Sequence, residues 1–228
     1  MAKGRRHRKR KPPRRTPWRD PKPRILCVCE GEATEPQYLN GFKNWCKNPR
    51  VDVEVDDNHG VPLTLVRRAK ERKREAESEA KSAKDENLRY DQVWCVFNID
   101  EHPNVAEARQ MASANGIDLA ISNAAFELWL ILHFRENPGA QHRKHLVKIL
   151  KEFIQDYDKS LDFSLVQDGY YYAVERARRL DEDAEAIGEP GGDPTTGVWR
   201  LTESIRGPDD VQPDNDVAEP DDAGGRNA

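Results

Sequence analysis

The segment that decides the fold is Gln92-Val-Trp-Cys-Val-Phe97, which is followed by the polar Asn98-Ile-Asp-Glu-His102. Its continuous apolar run, with β-branched and aromatic members, is typical of a strand covered on both faces inside a parallel sheet. Two more segments share this character, Arg24-Ile-Leu-Cys-Val-Cys29 and Asp118-Leu-Ala-Ile-Ser122. Together the three runs predict an α/β protein with a mostly parallel sheet.

Helical segments separate these strands. Composition and apolar spacing predict helices over 38–45, 63–86 and 105–115, and the alternating Val51-Asp-Val-Glu-Val55 predicts a more exposed strand. Parallel neighbours need crossover connections, so these helices should flank the sheet. Further helices are predicted over 123–134, 144–157, 171–186 and 195–205, with Asn123 as the N-cap of the first.

The 228 residues suffice for one α/β domain with two charged tails. Residues 1–23 are rich in Lys, Arg and Pro, whereas 207–228 are rich in Asp, Pro and Gly. Neither composition supports a hydrophobic core, so both ends are predicted to be disordered. The expected organisation is a basic arm over 1–23, a folded domain over 24–206 and an acidic tail over 207–228.

Several function classes are excluded by motifs that the sequence lacks. It has no P-loop, no Gly-x-Ser-x-Gly elbow and no Gly-x-Gly-x-x-Gly fingerprint. It also has no run of about 18 apolar residues to span a bilayer, and these features predict a cytoplasmic protein. The four cysteines lack the spacing of a zinc site and are predicted to be reduced core residues: Cys27, Cys29, Cys46 and Cys95.

Acidic and amide side chains follow the three apolar strands at their carboxyl ends. In chain order these are Glu30, Asn98, Asp100, Glu101, Asn123 and Glu127. If the strands are neighbours, their carboxyl ends meet at one edge of the sheet and bring these oxygens together. Clustered carboxylates call for a cation, and oxygen ligands favour Mg²⁺ or Mn²⁺ over zinc. Such a metal takes part of its coordination shell from phosphate, so a phosphodiester substrate fits.

A strand that ends in Glu-Gly, followed later by a strand that ends in an acidic pair, resembles the TOPRIM domain of topoisomerases, primases and nucleases. The order of longer motifs resembles, more specifically, the RloB family over 24–205. These motifs are Cys29-Glu-Gly-Glu-Ala-Thr-Glu-Pro36, Trp94-Cys-Val-Phe-Asn-Ile-Asp-Glu-His102, Ser122-Asn-Ala-Ala-Phe-Glu-Leu-Trp-Leu-Ile-Leu-His-Phe134 and Pro194-Thr-Thr-Gly-Val-Trp-Arg-Leu201. The expected fold is therefore a TOPRIM-like sheet flanked by helices, with helical additions towards the C-terminus.

The resemblance implies a function in bacterial defence against phage, through Mg²⁺-dependent cleavage of phosphodiester bonds in DNA or RNA. It also implies that an ATPase or restriction protein can be the partner. Carried over to this chain, Glu30 would be the general acid or base and a metal ligand. Asp100 would be the principal metal ligand, with Asn98 assisting.

One position departs from the TOPRIM pattern, because the acidic pair would place an aspartate where this chain has Asn98. An amide oxygen can ligate a metal but brings no negative charge. Three interpretations follow: weaker metal binding, replacement by Glu101, or loss of catalysis. The alternative to a nuclease is thus a catalytically attenuated module that binds nucleic acid or a partner protein in a defence complex.

Two of the expected site residues also have a purely structural interpretation. Glu30 could cap the helix that begins near Glu35, and Asp100 could be a turn residue before Pro103. Gly31 permits an unusual backbone turn after the first strand. Gly31 and Glu35 are expected to support the site.

Each of the remaining candidate site residues also has two interpretations. Glu127 is either a partly buried site acid or the capping partner of Asn123. His102 is either a proton shuttle or phosphate ligand, or a solvated loop residue. His133 lies on the apolar face of its predicted helix, so it either supports the site or is a core residue with satisfied hydrogen bonds.

The basic arm is a candidate for nucleic-acid contact. Eight cations are expected to bind phosphates without sequence preference, through counterion release: Arg5, Arg6, Arg8, Lys9, Arg10, Lys11, Arg14 and Arg15. The alternative is a tail that only aids solubility.

Overall fold

A computed structural model describes residues 22–55, 61–99 and 104–207. These residues form five strands and seven α-helices. In chain order they are β1 (Ile25–Cys29), α1 (Thr34–Trp45), β2 (Val51–Val55), α2 (Pro62–Ala83), β3 (Gln92–Asn98), α3 (Val105–Ala114), β4 (Asp118–Asn123), α4 (Glu127–Ile131), α5 (Arg143–Phe153), α6 (Tyr170–Ala186), β5 (Thr195–Thr196) and α7 (Val198–Arg206).

The strands form one sheet in the order β2-β1-β3-β4-β5, in which the first four are parallel and β5 is antiparallel. The predicted α/β class and the three apolar interior strands are therefore confirmed. Strand β1 lies between β2 and β3, and its Cys29 is opposite Val96 of β3. Strand β3 in turn pairs with β4, with Asn98 opposite Ser122. This register brings the carboxyl ends of β1, β3 and β4 to one edge of the sheet.

Helices cover both faces of the sheet, and the two faces differ in chemistry. Helices α2 and α3 pack small and aliphatic residues, such as Ala69 and Ala108, against Leu26, Val28 and Phe97. The opposite face carries α1, α4, α5, α6 and α7 and holds most of the buried aromatic rings. All four cysteines are buried free thiols, as predicted. Of the helices that the structure describes, none has the length and apolarity that crossing a membrane requires.

The predicted helix over 123–134 is wrong at its start. Asn123 is the last residue of β4, where it pairs with Thr195 of the antiparallel strand, and its side-chain amide donates to the Gly191 carbonyl at 3.2 Å. The backbone is therefore committed to the sheet, and α4 begins only at Glu127 without a side-chain cap. Asn123 is not an N-cap, and the interpretation of Glu127 as its capping partner fails with it.

The predicted helix over 195–205 is also shorter than expected. Thr195 and Thr196 form the edge strand β5, and α7 begins at Val198. The hydroxyls of Ser122 and Thr196 lie 2.9 Å apart and are hydrogen-bonded across the two strands, and both residues are fully buried. Pairing with the edge of β4 thus overrides the helical pattern for these two residues.

Candidate functional site

A cavity of about 450 Å³ opens at the edge where β1 and β3 end. Its wall combines glutamates, an amide and two cations. These polar residues are Glu30, Glu32, Glu35, Asn98, Glu127, Arg143 and Lys159. The cavity lining therefore combines four carboxylates with two cations.

The Glu30 carboxylate is held by the backbone of the neighbouring strand. The Glu30 N–H donates to the Val96 carbonyl at 3.0 Å, which extends the β1–β3 ladder one residue past the strand. The Asn98 N–H then donates to Glu30 Oε2 at 3.0 Å. A backbone donor that fixes a carboxylate in this way positions its other oxygen without the entropy cost of a mobile side chain.

Glu35 lies in the first turn of α1 and is only 6% exposed. Burial raises the pKa of its carboxyl group, and the negative charges of Glu127 and Glu30 raise it further. The Asn98 side-chain amide donates to Glu35 Oε1 at 3.4 Å and opposes that rise. Glu35 is therefore a buried acid that retains its proton at higher pH than an exposed glutamate does.

Gly31 provides the clearance that this arrangement needs. A Cβ atom at this position would lie 2.0 Å from Glu35 Oε2, so any side chain there would displace the Glu35 carboxyl group. The glycine predicted for a turn is thus also required for the close approach of a buried acid to the backbone.

Glu127 begins α4, is 7% exposed, and accepts a hydrogen bond from the Tyr157 hydroxyl at 3.1 Å. The Tyr157 oxygen also lies 3.1 Å from the Thr34 hydroxyl, which donates to the Lys159 carbonyl at 2.6 Å. Burial and then the Glu127 charge raise the pKa of Tyr157, so it remains a hydroxyl donor. This chain of contacts ties the acid of α4 to α1 and to the segment that carries Lys159.

The structure brings together five of the residues expected from the sequence. Glu30, Gly31, Glu35, Asn98 and Glu127 all line the cavity. The other expected site residues that the structure describes, Asn123 and His133, are not among its lining residues. The remaining candidates lie outside the described residues: Asp100, Glu101, His102, Arg5, Arg6, Arg8, Lys9, Arg10, Lys11, Arg14 and Arg15.

His133 is a core residue, in agreement with one of its two interpretations. The Trp129 carbonyl can only accept, so the His133 Nδ1–H donates to it at 2.9 Å. The Tyr38 hydroxyl then donates to Nε2 at 3.2 Å. Burial is the main reason why the pKa of His133 falls from 6.5 to about 4, and the ring is neutral at physiological pH.

Sequence reasoning missed three residues near the acids: Arg143, Tyr157 and Lys159. Each lies far along the chain from the strand ends, and Tyr157 and Lys159 follow α5 in an irregular segment. Arg143 and Lys159 line the cavity, Tyr157 donates to Glu127, and the helix α5 that carries or precedes them packs against α4. No local pattern in the sequence signals this.

The oxygen-rich wall suits Mg²⁺ or Mn²⁺ in the kind of donor it offers. The thiols do not contribute, because burial raises the pKa of Cys27 and Cys29 and both lie in the core. Within 22–55, 61–99 and 104–207, no three His, Cys, Asp or Glu side chains are arranged to hold a metal ion. The described carboxylates thus match the cation in donor type and charge, without forming a complete ligand set.

Fold and site together define a mostly parallel α/β protein with an acidic cavity at the carboxyl edge of its sheet. The profile of the RloB-like protein family matches residues 25–205, which is most of the chain. The chain therefore belongs to the RloB-like family. Comparisons with curated proteins and with solved structures gave no significant match.

Proposed function

We propose that this RloB-like protein is a Mg²⁺- or Mn²⁺-dependent nuclease that hydrolyses phosphodiester bonds in RNA or DNA during bacterial defence against phage. One observation carries the proposal: Glu30, Glu35 and Glu127 line the same cavity as Arg143 and Lys159. Carboxylates supply metal ligands and proton transfer, while the cations suit the oxygens of a phosphodiester. The role in defence rests on the family resemblance alone.

The cavity residues have two proposed roles, binding of the phosphate and proton transfer. Arg143 and Lys159 bind the phosphate and orient it towards the acids. Glu35, whose pKa is raised, donates a proton to the leaving oxygen. Glu30, fixed by the Asn98 N–H, is the base that orients water.

The metal would be held by Glu30 and Asn98 together with Asp100 and Glu101. When bound, it would polarise the phosphoryl group and neutralise charge that develops on it. A cation would also relieve the repulsion between the clustered carboxylates. Asp100 and Glu101 lie two and three residues after the end of β3 in the sequence, which supports their assignment to the same edge of the sheet.

Cleavage of a mixed panel of DNA and cellular RNA, with Mg²⁺ or Mn²⁺, tests the proposal. The panel compares wild type with Glu30→Gln, Asp100→Asn and Asn98→Asp. We expect Glu30→Gln and Asp100→Asn to lower the rate by at least about 100-fold, since each removes a ligand or proton-transfer group. Asn98→Asp should preserve or raise the rate.

Glu107→Gln is the matched control, because it removes an exposed carboxylate of α3 and should leave cleavage unchanged. Equal activity in wild type and in both acid variants would contradict the proposal. Chelation with EDTA should abolish cleavage in every active variant.

A second candidate function is a binding module that retains the fold without turnover. The observation in its favour is that the Asn98 amide donates to Glu35. An aspartate at position 98 would add a negative charge that a cation must neutralise, whereas the neutral asparagine adds none. A wild type that binds nucleic acid or a partner ATPase but never cleaves, together with activity gained in Asn98→Asp, would establish this alternative. The basic arm over 1–23 would serve either function by adding phosphate contacts.

A further inference from the structure

Helix α5 carries a stripe of lysines that begins beside the cavity. Leu146, Ile149 and Leu150 are buried against the core. This fixes the opposite face outward, and Lys144, Lys148 and Lys151 are exposed there at the i, i+4 and i+7 spacing of one helix face. At the start of the same helix, Arg143 lines the cavity.

The charge of α5 is one-sided. Arg143, Lys144, Lys148 and Lys151 oppose only Glu152, so the formal charge of the helix is 4 − 1 = +3 with His145 neutral. Helix α2 has the same formal charge of 7 − 4 = +3, but its cations are interleaved with four glutamates, and Arg68 and Arg72 form ion pairs with glutamates. Helix α5 therefore concentrates positive charge along one line.

The charges of Lys144, Lys148 and Lys151 are not neutralised within the part of the chain that the structure describes. On the neighbouring helices, arginines are neutralised by carboxylates, as in Arg178 with Glu203 at 3.0 Å and Arg200 with Asp181 at 2.9 Å. By contrast, none of the three stripe lysines forms an ion pair with another residue in the described part of the chain. Three unneutralised ammonium groups on one face raise the local concentration of polyanions.

Lys159 lies at the cavity and extends the positive surface beyond α5. It is exposed, and its backbone is fixed because the Thr34 hydroxyl donates to its carbonyl at 2.6 Å. The cations of Arg143 and Lys159 thus stand where the lysine stripe meets the acidic wall.

We infer that the stripe of Lys144, Lys148 and Lys151 is the track along which the phosphate backbone of a nucleic-acid strand approaches the cavity. The inference rests on the proposed function for what happens in the cavity, but binding to the track requires no catalysis. Lys144 and Lys151 are separated by seven residue steps along the helix, which is a rise of about 10 Å. Along the axis of a duplex, each strand presents a phosphate about every 3.4 Å, so about three phosphates of that strand face the three lysines.

A nucleic-acid strand fits this surface better than another polyanion. A membrane is flat and cannot follow the stripe into a cavity of about 450 Å³. A nucleic acid offers a continuous line of phosphates for the lysines and a phosphodiester for Arg143 and Lys159 at its end. Exposed lysines that bind phosphates position the strand and do not specify its sequence.

The test is the salt dependence of binding, measured with the full chain in EDTA so that cleavage cannot occur. Fluorescence anisotropy would follow labelled 20-nucleotide single strands of DNA and RNA of mixed sequence between 50 and 200 mM salt. Lys144→Gln, Lys148→Gln and Lys151→Gln are combined in one variant. The control combines Arg67→Gln, Arg74→Gln and Lys81→Gln, three exposed cations of α2 on the other face of the sheet.

Loss of three phosphate contacts should reduce the slope of log K against log salt by about 2 for a single strand. Between 50 and 200 mM salt, the affinity of wild type should therefore fall about 20-fold more than that of the α5 variant. The α2 control should retain the wild-type slope. Both variants should keep the wild-type melting temperature, because exposed Lys→Gln changes cost a helix little.

An α5 variant with the wild-type slope would contradict the inference that the stripe binds phosphates. An equal decrease of the slope in the α5 and α2 variants would also contradict it. These outcomes are independent of the nuclease test. A protein that never cleaves can still show the α5-specific change in slope, and a nuclease can fail to show it.

Discussion

His133 and Glu35 are two buried polar residues on the same side of the sheet, and they differ in what surrounds them. Both are almost inaccessible, with 5% and 6% exposure. Burial lowers the pKa of His133 and raises that of Glu35, so that in each case the neutral form is favoured. His133, however, has a hydrogen-bond partner for each ring nitrogen, whereas Glu35 has two further carboxyl groups as neighbours.

The difference separates a structural residue from a candidate site residue. The contacts of His133 complete its hydrogen bonds and leave nothing for a ligand. Glu35 faces a cavity, and the charges nearest to it make its ionised form less favourable. Burial alone therefore does not mark a candidate functional group, whereas burial combined with neighbouring like charges at a cavity does.

The largest effect on stability is expected from His133→Leu. The replacement removes two hydrogen bonds and leaves the Tyr38 hydroxyl and the Trp129 carbonyl unsatisfied in the core. We expect the free energy of unfolding to fall by about 3 kcal/mol. Urea denaturation followed by circular dichroism measures this change. His145→Leu, an exposed change on α5, should stay within about 0.5 kcal/mol of wild type, and equal values for the two variants would refute the comparison.

The next largest effect is that the wild-type protein should lose stability as the pH falls, because the buried His133 ring resists protonation. Its pKa is about 4 in the folded protein and 6.5 ordinarily, so the folded state resists protonation. The resulting stability is fully present above about pH 6.5 and is lost as the pH falls towards 4, by about 3 kcal/mol in all. Denaturation of wild type and His133→Leu across this range should show their difference shrink as the pH falls. A constant difference would show that the neutral ring is not required.

The smallest expected effect on stability comes from Glu35→Gln, which should raise the free energy of unfolding rather than lower it. Because the folded pKa of Glu35 lies above its ordinary value of 4.5, its contribution to stability is present below pH 4.5 and is lost as the pH rises through the folded pKa. Removal of the charge should therefore stabilise the protein at pH 7 by about 1 kcal/mol and less so near pH 4.5. The melting temperature at the two pH values tests this. A variant that is less stable than wild type at pH 7 would indicate that Glu35 is structural.

Features encoded in adjacent residues could be predicted from the sequence. The apolar runs before Glu30 and Asn98 identified β1 and β3, and parallel pairing then brought their ends together as expected. Glu127 was found for the same reason, although the helix that carries it begins four residues later than predicted. The β5 pair was missed because two residues give no periodicity and their pairing depends on the edge of β4.

The cationic side of the cavity could not be predicted in this way. Lys159 is separated from Thr34, its hydrogen-bond partner, by 125 residues. Its position depends on the packing of α5 against α4, which no local pattern of polar and apolar residues determines. The long-range contacts of a site are fixed by the tertiary structure, and here they bring Lys159 to the cavity that the glutamates line.

The same separation along the chain has a consequence during synthesis. A ribosome that adds about 5–20 residues per second needs roughly ten seconds to travel from Thr34 to Lys159. Throughout this interval Glu30 and Glu35 have emerged without Lys159, which lines the same cavity. The nascent protein is thus without its cavity, which can form only after most of the domain has left the ribosome.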